Sequence, residues 1–177
     1  MKQITLAGKR FEIKRISEYK SSDAKKFQRY INPLLKEGFL LLDKPMTLKE
    51  ETGWLKKEKI QEKNKKRAVT VAQIGDQIAG IAEMWKKVGI MSHVAELGIS
   101  VGEKYRGIGL GEFLLKETII SVKRELKPKV LRLSVLAINQ RAINLYKKIG
   151  YKTVAVIPKQ FRRKGKLIDE LIMIRSA

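Results

Sequence analysis

The chain has 177 residues, a hydrophobic fraction of 44% and a formal net charge of +21 at pH 7. This length and apolar content are sufficient for one domain with a buried core, and they argue against a disordered chain. The absence of cysteine excludes disulfides, thiolate metal ligands and a cysteine nucleophile. A single histidine cannot build a histidine metal cluster, so we expect no metal.

The charge and the absence of long apolar runs give a first expectation about location and partners. The first fifteen residues lack the apolar run of a secretion signal, and no segment approaches the ~18 apolar residues of a membrane span. We therefore expect a cytoplasmic protein. The charge indicates attraction to something anionic, such as nucleic acid, a membrane surface or a polyphosphate ligand. Because Lys and Arg are spread along the whole chain, a solvated surface is the competing interpretation.

The first half of the chain predicts a strand, two helices and a hairpin. Residues 10–16 form the strand, and residues 20–42 form a helix that Pro33 interrupts or bends. Thr47 and Glu50 have the spacing of a capping box, which predicts a helix from about residue 47 to 64. Residues 68–85 contain two apolar strands around Gly75-Asp76, a pattern typical of a β-hairpin.

The second half begins with a strand, "HVAELGISV" (93–101), followed by a glycine loop and a helix that Pro128 ends. Period-2 alternation places Ala95, Leu97, Ile99 and Val101 on one face of the strand, and Val94, Glu96, Gly98 and Ser100 on the other.

A further strand covers residues 130–136, and a helix follows it. Asn139 is placed to cap the start of this helix and Gly150 its end. Its predicted apolar face consists of Ile138, Ala142, Leu145 and Ile149. Two last strands, 152–158 and 167–174, are joined through a basic loop.

The stretch "YRGIGLGEF" (105–113) has glycine at every second position, and each glycine costs roughly 0.5–1 kcal/mol against alanine in regular structure. A dinucleotide fingerprint is excluded because Glu112 stands where the third glycine is needed, and a P-loop lacks its Lys-Ser/Thr ending. Two interpretations remain. One is a turn that merely happens to be glycine-rich. The other is a loop whose backbone N–H groups bind a pyrophosphate at a helix N-terminus.

At this point the sequence resembles the GNAT superfamily of acetyl-CoA-dependent N-acetyltransferases. Arg106-x-x-Gly109-x-Gly111 matches the Gln/Arg-x-x-Gly-x-Gly/Ala motif of that superfamily. The stretch "LSVLAINQRAINLYKKIGY" matches its next strand and helix, with Asn139, Ala142, Leu145, Tyr146 and Gly150 on matching positions. The resemblance covers residues 66–175.

The resemblance implies a fold of the α/β (α+β) class with one GNAT-like domain over residues 1–177. It implies a mixed, mostly antiparallel sheet of about six or seven strands flanked by about four helices. Residues 1–65 would supply the first strand and the substrate-side helices, and residues 66–175 the acetyl-CoA-binding core. The final strands could also pair across a homodimer.

The implied reaction is direct transfer of the acetyl group of acetyl-CoA to a primary amine in a ternary complex. The resemblance places the pyrophosphate on the loop and the pantetheine arm along the preceding strand, beside Asn139. Asn139 could equally be a plain helix cap, or serve as both. The implied acetyl-CoA-binding residues are Ile99, Val101, Arg106, Gly107, Ile108, Gly109, Leu110, Gly111, Asn139 and Tyr146.

Two residues are candidates for catalysis. Tyr146 lies two helical turns after Asn139 and would protonate the leaving thiolate; the alternative is a tyrosine packed in the core. A primary amine is mostly ammonium at pH 7, so a base is needed, and Glu96 is the candidate. The alternative for Glu96 is a structural partner of a Lys or Arg. His93 is the other titratable side chain nearby, and we expect it to be exposed.

The acceptor is predicted only as an amine: a peptide or protein N-terminus, or a small amine, with polyamines disfavoured by the positive charge. The alternative function is a nucleic-acid- or ribosome-binding module built on an inactive GNAT-like fold, which the charge favours. Against it, the sequence shows no basic helix with base-reading residues and no aromatic stacking platform.

Overall fold

A computed structural model of the protein describes residues 2–40, 42 and 44–177, which contain an eight-stranded sheet with helices on both faces. The strands are β1 (Lys2–Leu6), β2 (Lys9–Arg15), β3 (Arg67–Ile74), β4 (Gln77–Lys86), β5 (Val94–Val101), β6 (Val130–Leu136), β7 (Lys152–Arg163) and β8 (Lys166–Ser176). The helices are α1 (Ala24–Leu35), α2 (Leu48–Lys63), α3 (Leu110–Glu125) and α4 (Gln140–Lys148).

The strand order is β1-β2-β3-β4-β5-β6-β8-β7. Among the described strands only β5 and β6 pair in parallel, which confirms the mixed, mostly antiparallel sheet. The sheet has eight strands rather than six or seven because β1 was missed. It forms a hairpin with β2, and only Ile4 and Leu6 of its side chains are even partly buried. An edge strand this exposed shows little apolar alternation in sequence.

The helices divide between the two faces of the sheet. On the face covered by α1 and α2, Phe27, Tyr30 and Leu55 pack with Val69 and Val71. We call this the α1/α2 face. On the α3/α4 face lies the larger cluster, with buried members that include Ala95, Leu97, Leu110, Leu114, Leu115, Leu131, Leu133, Ile143 and Tyr146. The odd residues of β5 therefore pack under α3 and α4, as the predicted alternation requires.

Local signals placed several elements correctly. Thr47 and Glu50 form the predicted capping box of α2: Thr47 Oγ1 accepts the Glu50 N–H at 3.2 Å, and Glu50 Oε2 accepts the Thr47 N–H at 2.8 Å. The hairpin at Gly75-Asp76 and the strand over residues 130–136 also lie where predicted. Across the described residues, no helix combines the length and the apolar character needed to cross a bilayer.

Three boundaries differ from the sequence prediction. The helix expected over residues 20–42 begins at Ala24 and ends at Leu35, two residues after Pro33; residue 41 of that prediction lies outside the described residues. The basic loop is part of a continuous hairpin, since β7 runs to Arg163 and β8 starts at Lys166. α4 begins at Gln140, so Ile138 precedes the helix and is 45% exposed.

Candidate active site

A slot opens inside the sheet between β5 and β6. These parallel strands pair only over Val94–Glu96 and Val130–Arg132, at their amino ends. Beyond Glu96, β5 keeps its partner β4 as far as Val101 but has no partner on the β6 side. The slot, bounded by residues 97–101 and 133–136, is therefore closed at Glu96 and open toward the loop that follows β5.

The backbone of β5 directs hydrogen-bonding groups into the slot. The N–H of Gly102 bonds to the carbonyl of Ala79 on the β4 side, at 2.9 Å. Bonding direction alternates along an antiparallel strand, so the even-numbered residues of β5 bond to β4 and the odd-numbered ones point away from it. Ile99 and Val101 thus face the slot, at the two positions where the sequence predicts backbone contact with the pantetheine arm.

The glycine loop (residues 106–111) leads from β5 into α3. Gly107 and Gly109 have φ of 76° and 86°, a region that other residues rarely adopt. A Cβ on either would meet no atom within 4 Å, so this side of the loop is open. Within the described chain, the N–H groups of residues 107–112 have no acceptor, and the first bond into α3 is from Phe113 to Gly109, at 3.0 Å. Free N–H groups at a helix N-terminus form a site for an anion.

Gly111 lies at a tight packing contact instead. A Cβ there would lie 3.3 Å from Cδ2 of Leu145 in α4 and 3.5 Å from Cγ2 of Val101 in β5. The three alternating glycines therefore divide into two that allow the turn and one that lets α3 approach both α4 and the strand. Leu110 between them is buried in the core, so it anchors the start of α3.

Arg106 connects the glycine loop to the segment after α1. Its N–H bonds to the carbonyl of Glu103 at 3.3 Å, so this residue, unlike those that follow it, offers no free N–H. Its Nε donates to the carbonyl of Val101 at 2.8 Å, and its Nη2 lies 2.7 Å from Glu37 Oε1. The carbonyl of Glu37 in turn accepts two bonds from the guanidinium of Arg163, at 3.2 and 2.8 Å.

Asn139 and Tyr146 both belong to α4. Asn139 Oδ1 accepts the N–H of Ala142 at 3.3 Å, so the predicted helix cap is formed. Tyr146 lies in the α3/α4 cluster, against which Ile99 of β5 also packs. Burial raises the pKa of Tyr146 to about 12. A tyrosine is protonated at neutral pH even at its ordinary pKa of about 10, and this shift disfavours the ionised form further.

Glu96 lies at the closed end of the slot, on the α1/α2 face, and is 6% exposed. Both carboxylate oxygens accept from Nη1 of Arg132, at 2.8 and 2.7 Å, and Lys87 Nζ lies 3.0 Å from Oε2. These contacts agree with the alternative that the sequence left open, a structural ion-pair partner. His93, just before β5, is exposed.

Charged side chains also lie beside the first turn of α3. Glu112 is 2.8 Å from Lys116 Nζ and 2.5 Å from Lys148 Nζ. These two cations lower the pKa of Glu112 to about 2. Lys148 of α4 is therefore close to the glycine loop while being paired within the chain.

The α1/α2 face also contains carboxylates that the sequence analysis did not single out. Glu83 of β4 pairs in register with Gly98, and its Oε2 accepts from Arg67 Nη2 at 2.9 Å. Arg67 Nε lies 2.6 Å from Oε2 of Glu58, which is 1% exposed. Burial raises the pKa of Glu83, and it raises that of Glu58 to about 7. The sequence feature that could have indicated Glu83 is that it is a single acidic residue within the apolar run "QIAGIAEMW".

Two further polar pairs line the same face. The hydroxyls of Tyr30 in α1 and Ser100 in β5 are 2.8 Å apart, which connects the first helix to the slot strand. On the other wall of the slot, the hydroxyl of Ser134 in β6 donates to the carboxylate of Glu170 in β8. The sequence showed clustered acid only near residues 48–54, whereas the fold gathers carboxylates from α2, β4, β5 and β8.

Comparison with known proteins connects this arrangement to one family. The model of the acetyltransferase (GNAT) family matches residues 35–151. L-amino acid N-acetyltransferase AaaT from Escherichia coli is 32% identical over 84 residues, which is 48% of this chain and 52% of that protein. An N-alpha-acetyltransferase from Sulfurisphaera tokodaii is 39% identical over 61 residues, 34% of this chain and 36% of that protein. The chain therefore spans about half, or less, of these curated relatives.

The fold similarity extends over nearly the whole chain. The crystal structure of an acetyltransferase of the GNAT family from Streptococcus pneumoniae superposes with a TM-score of 0.82 at 25% identity. The superposition covers 94% of this chain and 99% of that one.

Proposed function

This chain belongs to the acetyltransferase (GNAT) family, and from that premise we propose that it transfers the acetyl group of acetyl-CoA to a primary amine. We propose that the transfer is direct, in a ternary complex, and the absence of cysteine agrees with this because it excludes a cysteine acyl-enzyme. The main supporting observation is that β5, whose backbone faces the open slot at Ile99, leads into the glycine loop, whose N–H groups are free at the start of α3.

The glycine loop and β5 would hold acetyl-CoA. The N–H groups of residues 107–111 are placed to bind its pyrophosphate, and the carbonyl of Ile99 and the N–H of Val101 to pair with its pantetheine arm as a strand would. The Val101 carbonyl is already bonded to Nε of Arg106. Asn139 would contact the arm from α4 while capping that helix. The open space beside Gly107 and Gly109 supports this fit. Bound there, the ligand supplies an acetyl group activated as a thioester.

We assign the protein's catalytic and structural groups to the two faces of the sheet. Tyr146, a phenol that is protonated at neutral pH, donates its proton to the departing sulfur from the α3/α4 face. The N–H of Ile99 stabilises the carbonyl oxygen as negative charge develops. Glu96 holds Arg132 and Lys87 at the closed end of the slot, the role that its contacts support best.

The acceptor would enter from the α1/α2 face, which residues 1–65 cover with α1 and α2. The two curated relatives are named for acetylation of L-amino acids and of N-alpha groups. We therefore propose an α-amine, of an amino acid or of a peptide or protein N-terminus. An α-amine also has a reference pKa near 7.7–8.0, so it yields its proton more readily than a lysine side chain.

A thiol-release assay tests this function. Release of CoA from acetyl-CoA is followed while free amino acids and short peptides with varied N-termini are offered as acceptors. We expect turnover with α-amines and none with the same peptides after N-terminal blocking. Acetyl-CoA alone should raise the melting temperature, since a ligand of the native state stabilises it. Absence of both effects would refute the proposal.

The net charge of +21 favours one second candidate, binding of nucleic acid or ribosomes by an accessory GNAT-like domain. This second hypothesis predicts that nucleic-acid affinity falls steeply as the salt concentration rises, and that acetyl-CoA does not change the melting temperature. Enzyme activity with weak, salt-insensitive nucleic-acid binding would exclude it.

A further inference from the structure

The slot lacks an obvious proton acceptor at its closed end, because the oxygens of Glu96 are engaged. Arg132 Nη1 contacts both of them, and Lys87 is 3.0 Å from one. Protonating Glu96 would disrupt contacts with two cations. The acceptor amine must nevertheless lose a proton before it can attack a carbonyl carbon. Another group on the α1/α2 face is therefore needed.

Glu83 lies in a suitable position. It is on β4, directly opposite Gly98 of β5, and both positions belong to the α1/α2 face. Glu83 Oε1 lies 3.2 Å from the point where a Cβ on residue 98 would stand, so the missing side chain leaves room for this carboxylate above β5. The next residue along β5 is Ile99, whose backbone faces the slot. The Glu83 side chain is 23% exposed, so an acceptor can reach it.

The two oxygens of Glu83 have different surroundings. Oε2 accepts a hydrogen bond from Arg67 Nη2 at 2.9 Å, whereas Oε1 has no hydrogen-bonding partner among the described residues. The unengaged oxygen is the one over Gly98. The carboxylate is thus held by one oxygen and available through the other.

We propose that Glu83 is the general base of the transfer, an inference that rests on the proposed function. Glu83 Oε1 takes a proton from the acceptor ammonium: an N–H bond breaks, an O–H bond forms, and the positive charge leaves the nitrogen. The neutral amine then attacks the thioester carbonyl in the slot, so that a C–N bond forms and the C–S bond breaks. Tyr146 protonates the sulfur that departs, and the second proton that the nitrogen loses returns to the Tyr146 phenolate through solvent.

The charges around Glu83 suit this task. Burial raises the pKa of Glu83, and the cation of Arg67 opposes that rise. Arg67 of β3 also contacts Glu58 of α2, so one cation serves two carboxylates. When Glu83 takes up a proton, Arg67 therefore keeps an ionic partner. β5 presents no charge at this level, because residue 98 is a glycine.

The test compares Glu83→Gln with a matched control, Glu58→Gln, which removes the other carboxylate on Arg67. For each variant, kcat is measured between about pH 5 and 9 with an α-amine acceptor, and the acetyl-CoA Kd by calorimetry. We expect Glu83→Gln to lower kcat about 100-fold and to move the fall in rate on the acidic side from the pKa of Glu83 to that of the acceptor α-amine, near 7.7–8.0. The Kd should stay within about twofold. Glu58→Gln should keep its activity and shift the acidic limb to lower pH, because Arg67 then pairs with Glu83 alone.

Glu83→Asp provides a second variant that keeps the charge on Arg67. It should fold like the wild type and retain the acidic limb, with kcat between those of wild type and Glu83→Gln.

Two results would overturn the proposal: Glu83→Gln with wild-type kcat and an unshifted acidic limb, or the same shift of that limb in Glu96→Gln or Glu170→Gln instead. A wild-type protein that neither binds acetyl-CoA nor acetylates any amine would refute the proposed function itself, which separates the two failures.

Discussion

Replacing Gly109 by alanine tests whether the glycine loop binds the cofactor. Gly109 has φ of 86° and lies immediately before the first helical residue of α3. A Cβ there meets no atom within 4 Å, so the substitution adds no clash to the free protein. It costs only the left-handed backbone conformation, about 1–2 kcal/mol. For a domain of this size that lowers the melting temperature by roughly 2–8 °C.

The effect on ligand binding should be separate and larger. At a concentration 100 times Kd, a ligand stabilises the native state by about 2.7 kcal/mol. The new methyl group would project into the open side of the loop, where the phosphates are proposed to lie. We expect at least a tenfold loss of acetyl-CoA affinity, so the stabilisation at that same concentration falls to about 1.4 kcal/mol.

Gly8→Ala is the matched control. Gly8 has φ of 73° in the β1–β2 turn, and a Cβ there also meets nothing within 4 Å. Both variants should therefore lose similar stability without ligand, and only Gly109→Ala should lose part of the thermal shift. Scanning fluorimetry with an acetyl-CoA titration measures both quantities. An unchanged Kd for Gly109→Ala would refute the assignment of the loop.

Three other substitutions give distinct readouts. Tyr146→Phe should lower kcat about 100-fold with the acetyl-CoA Kd unchanged by calorimetry; an unchanged kcat would remove its role as acid. Burial raises the pKa of Glu51, 5% exposed, from 4.5 to about 7, so the folded state binds its proton more tightly and stability falls as pH rises through that range. Glu51→Gln should therefore stabilise by about 1–3 kcal/mol at pH 8 and little at pH 4 in denaturant titrations, and an equal effect at both would contradict this. Glu96→Gln leaves Arg132 and Lys87 unpaired and should cost about 1–3 kcal/mol of unfolding free energy; a cost near zero would show the ion pairs to be unimportant.

The loop and the α4 cap could be predicted from sequence because their signals are local. Gly107 and Gly109 must adopt positive φ wherever the rest of the chain lies, and Asn139 caps its own helix. The strand alternation that puts Ile99 and Val101 together is equally local.

The acceptor side could not be predicted because it depends on tertiary pairing. Glu83 faces Gly98 only through the β4–β5 register, and Glu58 reaches Arg67 only once α2 packs on the sheet. The pairing of Glu96 with Arg132 joins strands 36 residues apart in sequence. The sequence pattern allowed Glu96 to be either a general base or an ion-pair partner. It could not identify Arg132, which contacts both carboxylate oxygens from β6.

The slot also divides the sheet into two parts that, among the described strands, are joined only by the short parallel pairing of β5 with β6. One part contains β1 to β5 and the other contains β6, β8 and β7. Three residue pairs, at the amino ends of β5 and β6, connect them. At the other end α3 follows β5 and α4 follows β6, and Gly111 of α3 lies beside Leu145 of α4. A side chain at position 111 would press on Leu145, in the helix that follows β6, and would touch Val101 at the end of β5. A contact that joins the two parts beyond the open end of the slot is therefore made in the glycine loop, outside the slot itself.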